Sequence, residues 1–96
     1  MSLQIISNKE VRGIDFSVKV PNVHQVIYTE ANRTATLEIE GGIDATGQFN
    51  WIVYRDTLSD WSPPDSLNTI DKKKRDSIIS NIDKSLNLLN MPHQIL

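Results

Sequence analysis

The fold is decided by residues 76–89, which read DSIISNIDKSLNLL. Aliphatic side chains recur there at helical spacing and fall within roughly 100° of one another on a helical wheel. They are Ile78, Ile79, Ile82, Leu86 and Leu89. The pattern predicts an amphipathic helix over about residues 70–90, with Thr69 as its N-cap, Asp71 in its first turn and Pro92 beyond its end. A helix with one apolar stripe needs a second layer of structure on which to bury it.

Upstream of this helix, apolar and polar residues alternate with the period of two that is typical of β-strands. The expected strands are residues 14–20, 24–30, 33–40 and 49–54, with a further short edge strand at 3–7. Pro21-Asn22 should end the first of the four, and Ala31-Asn32 is short enough for a tight hairpin. Along 33–40, Glu38 and Glu40 should face water.

These patterns together predict an α+β fold. An antiparallel sheet of four or five strands, within about residues 3–56, packs against one C-terminal amphipathic helix. The 96 residues suffice for one hydrophobic core, so we expect a single domain over residues 1–96.

Composition excludes several classes of protein. The chain has no cysteine, so a disulfide framework, a thiolate metal site and a cysteine nucleophile are all ruled out. The N-terminus lacks a signal-peptide pattern and nowhere do 18 apolar residues run together, so we expect a cytoplasmic protein without a membrane partner.

Residues 1–66 carry five basic and nine acidic side chains, whereas residues 67–96 carry five basic and three acidic ones. The strand half is therefore acidic and the helix half mildly basic.

Catalytic residues are few. Nucleotide, zinc-protease and calcium-loop motifs are absent, so no cofactor and no metal site is predicted. The two histidines, His24 and His93, are expected to be ordinary exposed residues. Glu38 with Glu40, together with His24 and with Arg33 or Arg55, could supply the acid, base and phosphate clamp of a small ribonuclease. Exposed glutamates on an alternating strand are more often just its solvated face, and we expect no enzymatic activity.

Four successive basic residues, 72–75, open the helix. On a helix they point in four directions, which does not suit a nucleic-acid surface. Arg75 alone aligns with the isoleucine stripe, and a partly buried guanidinium needs a carboxylate partner. The candidates are Asp56, Asp60 and Asp65, and the alternative role for Arg75 is contact with a protein partner.

The segment 61–64 reads WSPP and joins the last strand to the helix. Two prolines stiffen this corner, and a tryptophan is a large surface to leave in water. We expect Trp61 to be a structural plug, with Pro63 and Pro64 fixing the angle at which the chain enters the helix. The alternative is that Trp61 anchors a binding partner.

Four features in order resemble one known family: the strand-turn-strand 26–35, the strand 49–54 after a Gly-bearing loop, the WSPP corner, and the helix carrying Arg75 and the isoleucines. Over about residues 24–90 the chain resembles the immunity protein 74 family of bacterial polymorphic toxin systems. The strand at 14–20 extends beyond that resemblance, and the helix begins with lysines where the family leads us to expect acidic residues.

The resemblance implies a non-enzymatic cytoplasmic antidote that binds a cognate toxin domain and blocks its active site. If the toxin is a basic nuclease, carboxylates of this chain would mimic nucleic-acid phosphates at the partner-binding surface. The candidates are Glu30, Glu38, Glu40, Asp44 and Asp56. Two alternatives remain: a general protein-interaction or adaptor domain, and the ribonuclease-like enzyme described above.

Overall fold

The computed structural model describes residues 3–43, 45–61 and 70–96. Its strands are β1 (Gln4–Ser7), β2 (Glu10–Arg12), β3 (Phe16–Asn22), β4 (Gln25–Glu30), β5 (Arg33–Ile43), β6 (Phe49–Tyr54) and β7 (His93–Ile95). A short 3-10 helix, Arg55–Thr57, follows β6, and the α-helix α1 spans Lys72–Leu88.

All seven strands form one sheet in which their spatial order is their chain order. Neighbours from β1 to β6 are antiparallel, whereas β7 returns after α1 to pair parallel with β6. The predicted α+β class is confirmed. The prediction of an antiparallel sheet with four or five strands is wrong, because the sheet is mixed and has seven strands. The two unpredicted strands, β2 and β7, have three residues each, which is too short for alternation to be recognised.

The hairpins are specified by turn residues. Ala31 and Asn32 both adopt positive φ, 51° and 65°, as a two-residue turn between twisted antiparallel strands requires. Pro21-Asn22 lies at the end of its strand as predicted, although β3 includes both residues and ends at Asn22 rather than at residue 20. An extra residue in β3 between the pairs Lys19–Ile27 and Asn22–Gln25 makes a bulge there, where a proline without an N–H is tolerated.

The core lies between α1 and one face of the sheet. The helix buries Ile78, Ile79, Ile82, Ser85 and Leu86. The sheet contributes Val11, Phe16, Val18, Val20, Val26, Tyr28, Ala35, Leu37, Ile39 and Val53. The predicted stripe is therefore confirmed in its main part, whereas Leu89 is only half-buried.

The start of α1 differs from the sequence expectation. Asp71 is the N-cap, and its Oδ1 accepts a hydrogen bond of 2.7 Å from the Lys74 N–H. The prediction of Thr69 as N-cap is therefore wrong, and Thr69 itself lies outside the described residues. Either side chain can cap a helix, so only the path of the chain into the helix decides between them.

The opposite face of the sheet carries no α-helix among the described residues, and we call it the helix-free face. Because side chains alternate along a strand, the residues between the core-facing ones point to this face, and the register aligns them across neighbouring strands. They include Ser17, Lys19, Ile27, Thr29, Thr34, Thr36, Glu38, Glu40, Ile52 and Tyr54. The fold thus leaves one broad, mostly polar sheet surface opposite its core.

Candidate functional site

Two of the predicted partner-binding carboxylates lie together on the helix-free face. Glu38 and Glu40 are two residues apart on β5, and both are exposed. Glu38 pairs with Tyr54 across β5 and β6, and Glu40 pairs with Ile52. The Glu38 carboxylate makes no hydrogen bond or ion pair with another described residue. Both carboxylates therefore offer oxygen lone pairs to an approaching partner.

Tyr54 completes this surface, although the sequence did not single it out. Its hydroxyl donates a hydrogen bond of 3.0 Å to Oε2 of Glu40. That hydrogen bond raises the pKa of Tyr54, with smaller contributions from burial and from the charges of Glu40 and Glu38, so the phenol stays a donor at neutral pH. Alternation along residues 49–54 puts Tyr54 on the same face of its strand as Ile52, but only the register with β5 shows that this face also carries the glutamates. We call Glu38, Glu40 and Tyr54 the acidic patch.

A shallow concavity beside the acidic patch is lined by His24 as well as by Glu38, Glu40 and Tyr54. Three members of the hypothetical ribonuclease site, His24, Glu38 and Glu40, therefore do lie near one another. Neither arginine joins them. Arg33 stacks its guanidinium over the ring of Trp61, 4.7 Å from the ring centroid, and Arg55 lines concavities with residues of α1. Neither of the two candidate arginines therefore lines the concavity that holds His24 and Glu38.

Glu30 lies on the other face of the sheet, against α1. Its carboxylate forms an ion pair with the Lys74 ammonium and accepts a hydrogen bond of 2.7 Å from the Tyr28 hydroxyl. Burial acts to raise the pKa of Glu30, but the hydrogen bonds from Lys74 and Tyr28 outweigh it and the net pKa is lowered. Burial and the Glu30 hydrogen bond raise the pKa of Tyr28 in turn. With its side chain 15% exposed, Glu30 does not share the surface of Glu38 and Glu40.

The remaining two predicted partner-binding residues do not extend the acidic patch. Asp56 is exposed in the 3-10 helix and lines a concavity with Lys72 and Arg75 of α1. Asp44 lies outside the described residues. Sequence alone could not sort these carboxylates by face, because their positions depend on strand register and on the turn after β6.

Arg75 is held by three acceptors. Its Nη2 lies 3.1 Å from Oδ1 of Asp60, its Nη1 donates to the Leu58 carbonyl at 2.6 Å, and its Nε donates to the Ile70 carbonyl at 3.2 Å. Of the three carboxylates considered from sequence, Asp60 is the partner, whereas Asp65 lies outside the described residues. Arg75 thereby ties the start of α1 to the segment that follows β6.

Trp61 is 3% exposed and belongs to the core, with Leu58 and Ile70 also buried nearby in the chain. Its ring packs inside the fold and carries the Arg33 guanidinium on one side. Pro63 and Pro64 lie outside the described residues, so Trp61 is the one residue of the WSPP segment whose position the structure describes. A ring in this position contributes to the interior and not to the exposed surface.

His93 is not the exposed residue that its place in the C-terminal segment suggested, whereas His24 is exposed. The His93 side chain is 3% exposed, with Nε2 2.7 Å from Oδ1 of Asp83 and Nδ1 2.8 Å from the Met91 carbonyl oxygen. It joins β7 to α1 and lies in the strand next to β6. Among the described residues, no three His, Cys, Asp or Glu side chains form a group that could hold a metal ion.

Comparison of the sequence with models of known protein families shows a family relationship that the geometry of the site does not. The family model described as immunity protein 74 matches residues 23–94, well over half of the chain. The chain belongs to the immunity protein 74 family. Neither the curated proteins nor the solved structures gave a match. Within residues 3–43, 45–61 and 70–96, no helix has the length and apolar character needed to cross a membrane.

Proposed function

We propose that this immunity protein 74 member is a bacterial, cytoplasmic antidote that binds and neutralises the cognate toxin domain of a polymorphic toxin system. The observation that carries the proposal is the family membership over residues 23–94. The protein acts by contact and not by catalysis. In support, the described residues place no arginine beside His24 and Glu38, the pair on which a ribonuclease mechanism would depend.

The toxin-binding surface that the geometry supports best is the helix-free face around the acidic patch. Glu38 and Glu40 are exposed there, and the half-buried Ile52 and Tyr54 lie directly beside them. Apolar and aromatic groups bordered by exposed charge are the usual composition of a protein interface. The two carboxylates suit a basic partner, such as a nuclease whose active site binds phosphates.

Electrostatic complementarity acts mainly on the rate of encounter. Exposed carboxylates steer a basic partner from a distance of about one Debye length, about 8 Å at physiological ionic strength. They contribute little to the stability of the folded chain itself, because exposed charges are screened by water. The acidic patch can therefore be altered without unfolding the protein, which makes the proposal testable by charge reversal.

The test has two stages. A candidate toxin domain, chosen from the genes that flank this one, is first expressed in cells with and without the protein, and co-expression with the cognate toxin should restore growth. The purified pair is then compared with the double variant Glu38→Lys, Glu40→Lys and with the control Asp76→Lys, which reverses one exposed charge on α1. We expect slower association and a flatter salt dependence for the double variant, with stability unchanged within about 1 kcal/mol.

The outcomes separate the two parts of the proposal. Growth arrest that persists despite abundant folded protein would reject toxin immunity for that toxin. Protection with unaltered association of the double variant would keep immunity and remove the acidic patch from the interface. Hydrolysis of RNA by the purified chain, lost in His24→Ala, would replace immunity with the ribonuclease function.

A further inference from the structure

The turn before β3 displays an apolar side chain on a rigid support. The Gly13 N–H donates a hydrogen bond of 2.8 Å to the Phe16 carbonyl, which closes the turn. A Cβ atom on residue 13 would lie 2.4 Å from Cε1 of Phe16, so only glycine allows the ring to pack under the turn. Ile14, which the sequence analysis placed at the start of the strand 14–20, lies instead at the tip of the turn and is 70% exposed. An exposed isoleucine on a turn fixed in this way is pre-organised for contact.

A hydrogen-bonded chain of side chains faces this turn across a cleft. Asn81 Nδ2 donates to the Tyr28 hydroxyl at 3.1 Å, the Tyr28 hydroxyl donates to Glu30, and Lys74 pairs with Glu30 from the other side. The Tyr28 ring is stacked on Phe16 with centroids 5.6 Å apart. The network joins β4 to two positions of α1 that lie about two turns apart, so the wall of the cleft is rigid as well.

The turn–helix cleft between these two supports is open and lined by both apolar and polar side chains, with a volume of about 770 Å³. It is lined by Ile14, Asp15, Phe16, Glu30, Ala31, Lys74, Ser77 and Asn81. Lys74 balances Glu30, whereas Asp15 has no ion pair with another described residue. The cleft therefore holds one uncompensated carboxylate beside an exposed aliphatic side chain.

The cleft also crosses the boundary of the family match, which begins at residue 23. Ile14, Asp15 and Phe16 precede that boundary, and the opposite wall from β4 and α1 lies within it. A contact made here combines a surface of the family region with a segment that the family model does not cover. Such an arrangement is suited to setting which partner this particular chain accepts.

We propose that the turn–helix cleft receives an arginine of the protein partner, with an apolar neighbour of that arginine resting on Ile14. This inference depends on the proposed function only in requiring a protein partner, and it concerns a surface distinct from the acidic patch. The planar guanidinium can engage the Asp15 carboxylate through two N–H groups. Its aliphatic stem lies along Ile14 and the edge of Phe16, as long basic side chains commonly do on apolar surface.

The test uses the isolated chain and a capped Leu-Arg-Leu peptide, titrated while backbone amide signals are followed by NMR. The matched probe replaces arginine with citrulline, which keeps the shape and removes the charge. We expect signal changes confined to residues 14–16, 30–31 and 74–81, and binding about tenfold tighter for arginine than for citrulline. Asp15→Asn should remove that preference, Ile14→Ser should weaken both peptides, and Asp76→Asn should change neither.

Equal binding of the two peptides, changes centred elsewhere, or no binding would each overturn the inference. An Asp15→Asn variant that folds normally and still prefers arginine would do the same. None of these results depends on a toxin or on Glu38 and Glu40. Failure of the cleft is thereby distinguished from failure of toxin immunity, which the growth assay measures.

Discussion

Replacing Trp61 with alanine removes the largest side chain from the segment that leads from β6 toward α1. The ring is 3% exposed and belongs to the same core as Leu58 and Ile70. Truncation of a buried aromatic ring to alanine costs about 3 to 5 kcal/mol. Loss of the stacking with Arg33 adds about 0.5 to 1 kcal/mol, since that contact is partly solvated. The expected loss is therefore at least about 3 kcal/mol, a large part of the stability of a small domain.

Urea unfolding followed by far-UV circular dichroism measures this loss, because the signal of α1 does not depend on the mutated ring. Trp61→Phe is the matched variant, which keeps an aromatic ring and should cost less than half as much as Trp61→Ala. A double-mutant cycle with Arg33→Met isolates the stacking contribution. Parental stability of Trp61→Ala together with lost partner binding would refute the structural role and make Trp61 the interface anchor.

Three further predictions concern the contacts that hold α1 against the sheet and against the segment that follows β6. Ile82→Asp places a carboxylate at a fully buried position and should abolish cooperative unfolding, because such burial costs more than about 4 kcal/mol, whereas the exposed control Ser80→Asp should unfold like the parent. Arg75→Met leaves the Leu58 carbonyl without its donor and should lower the free energy of unfolding by about 1 to 3 kcal/mol in a urea titration, and an unchanged midpoint would show that water replaces the guanidinium. The pKa of Glu30 is lowered in the folded chain, so its contribution to stability is complete above the unfolded pKa near 4.5 and is lost as the pH falls through the lower folded value. Glu30→Gln should therefore flatten the acid side of the stability profile, and an identical acid limb would contradict the ion pair with Lys74.

Several local features of the fold could be predicted because their physical causes lie within a few neighbouring residues. The helix stripe around Ile82 follows from spacing alone, and the hairpin at Ala31-Asn32 follows from two residues between alternating strands. The core-facing side of β5 was likewise fixed by alternation. The sequence predictions were wrong where a segment was too short to show alternation, as at the three-residue strand β7. They were also wrong where two neighbouring residues could each cap the helix, as with Thr69 and Asp71.

The sequence by itself determined an amphipathic helix, a set of alternating strands and the resemblance to the immunity protein 74 family, because periodicity and motif order are properties of the chain. Only the tertiary structure decided which carboxylates share a surface. The register of β5 and β6 places Glu38 beside Tyr54, whereas Glu30 forms an ion pair with Lys74 on the opposite face of the sheet. Strand register, crossover and helix docking join residues far apart in sequence, and the free energy of those contacts is set by all the partners at once.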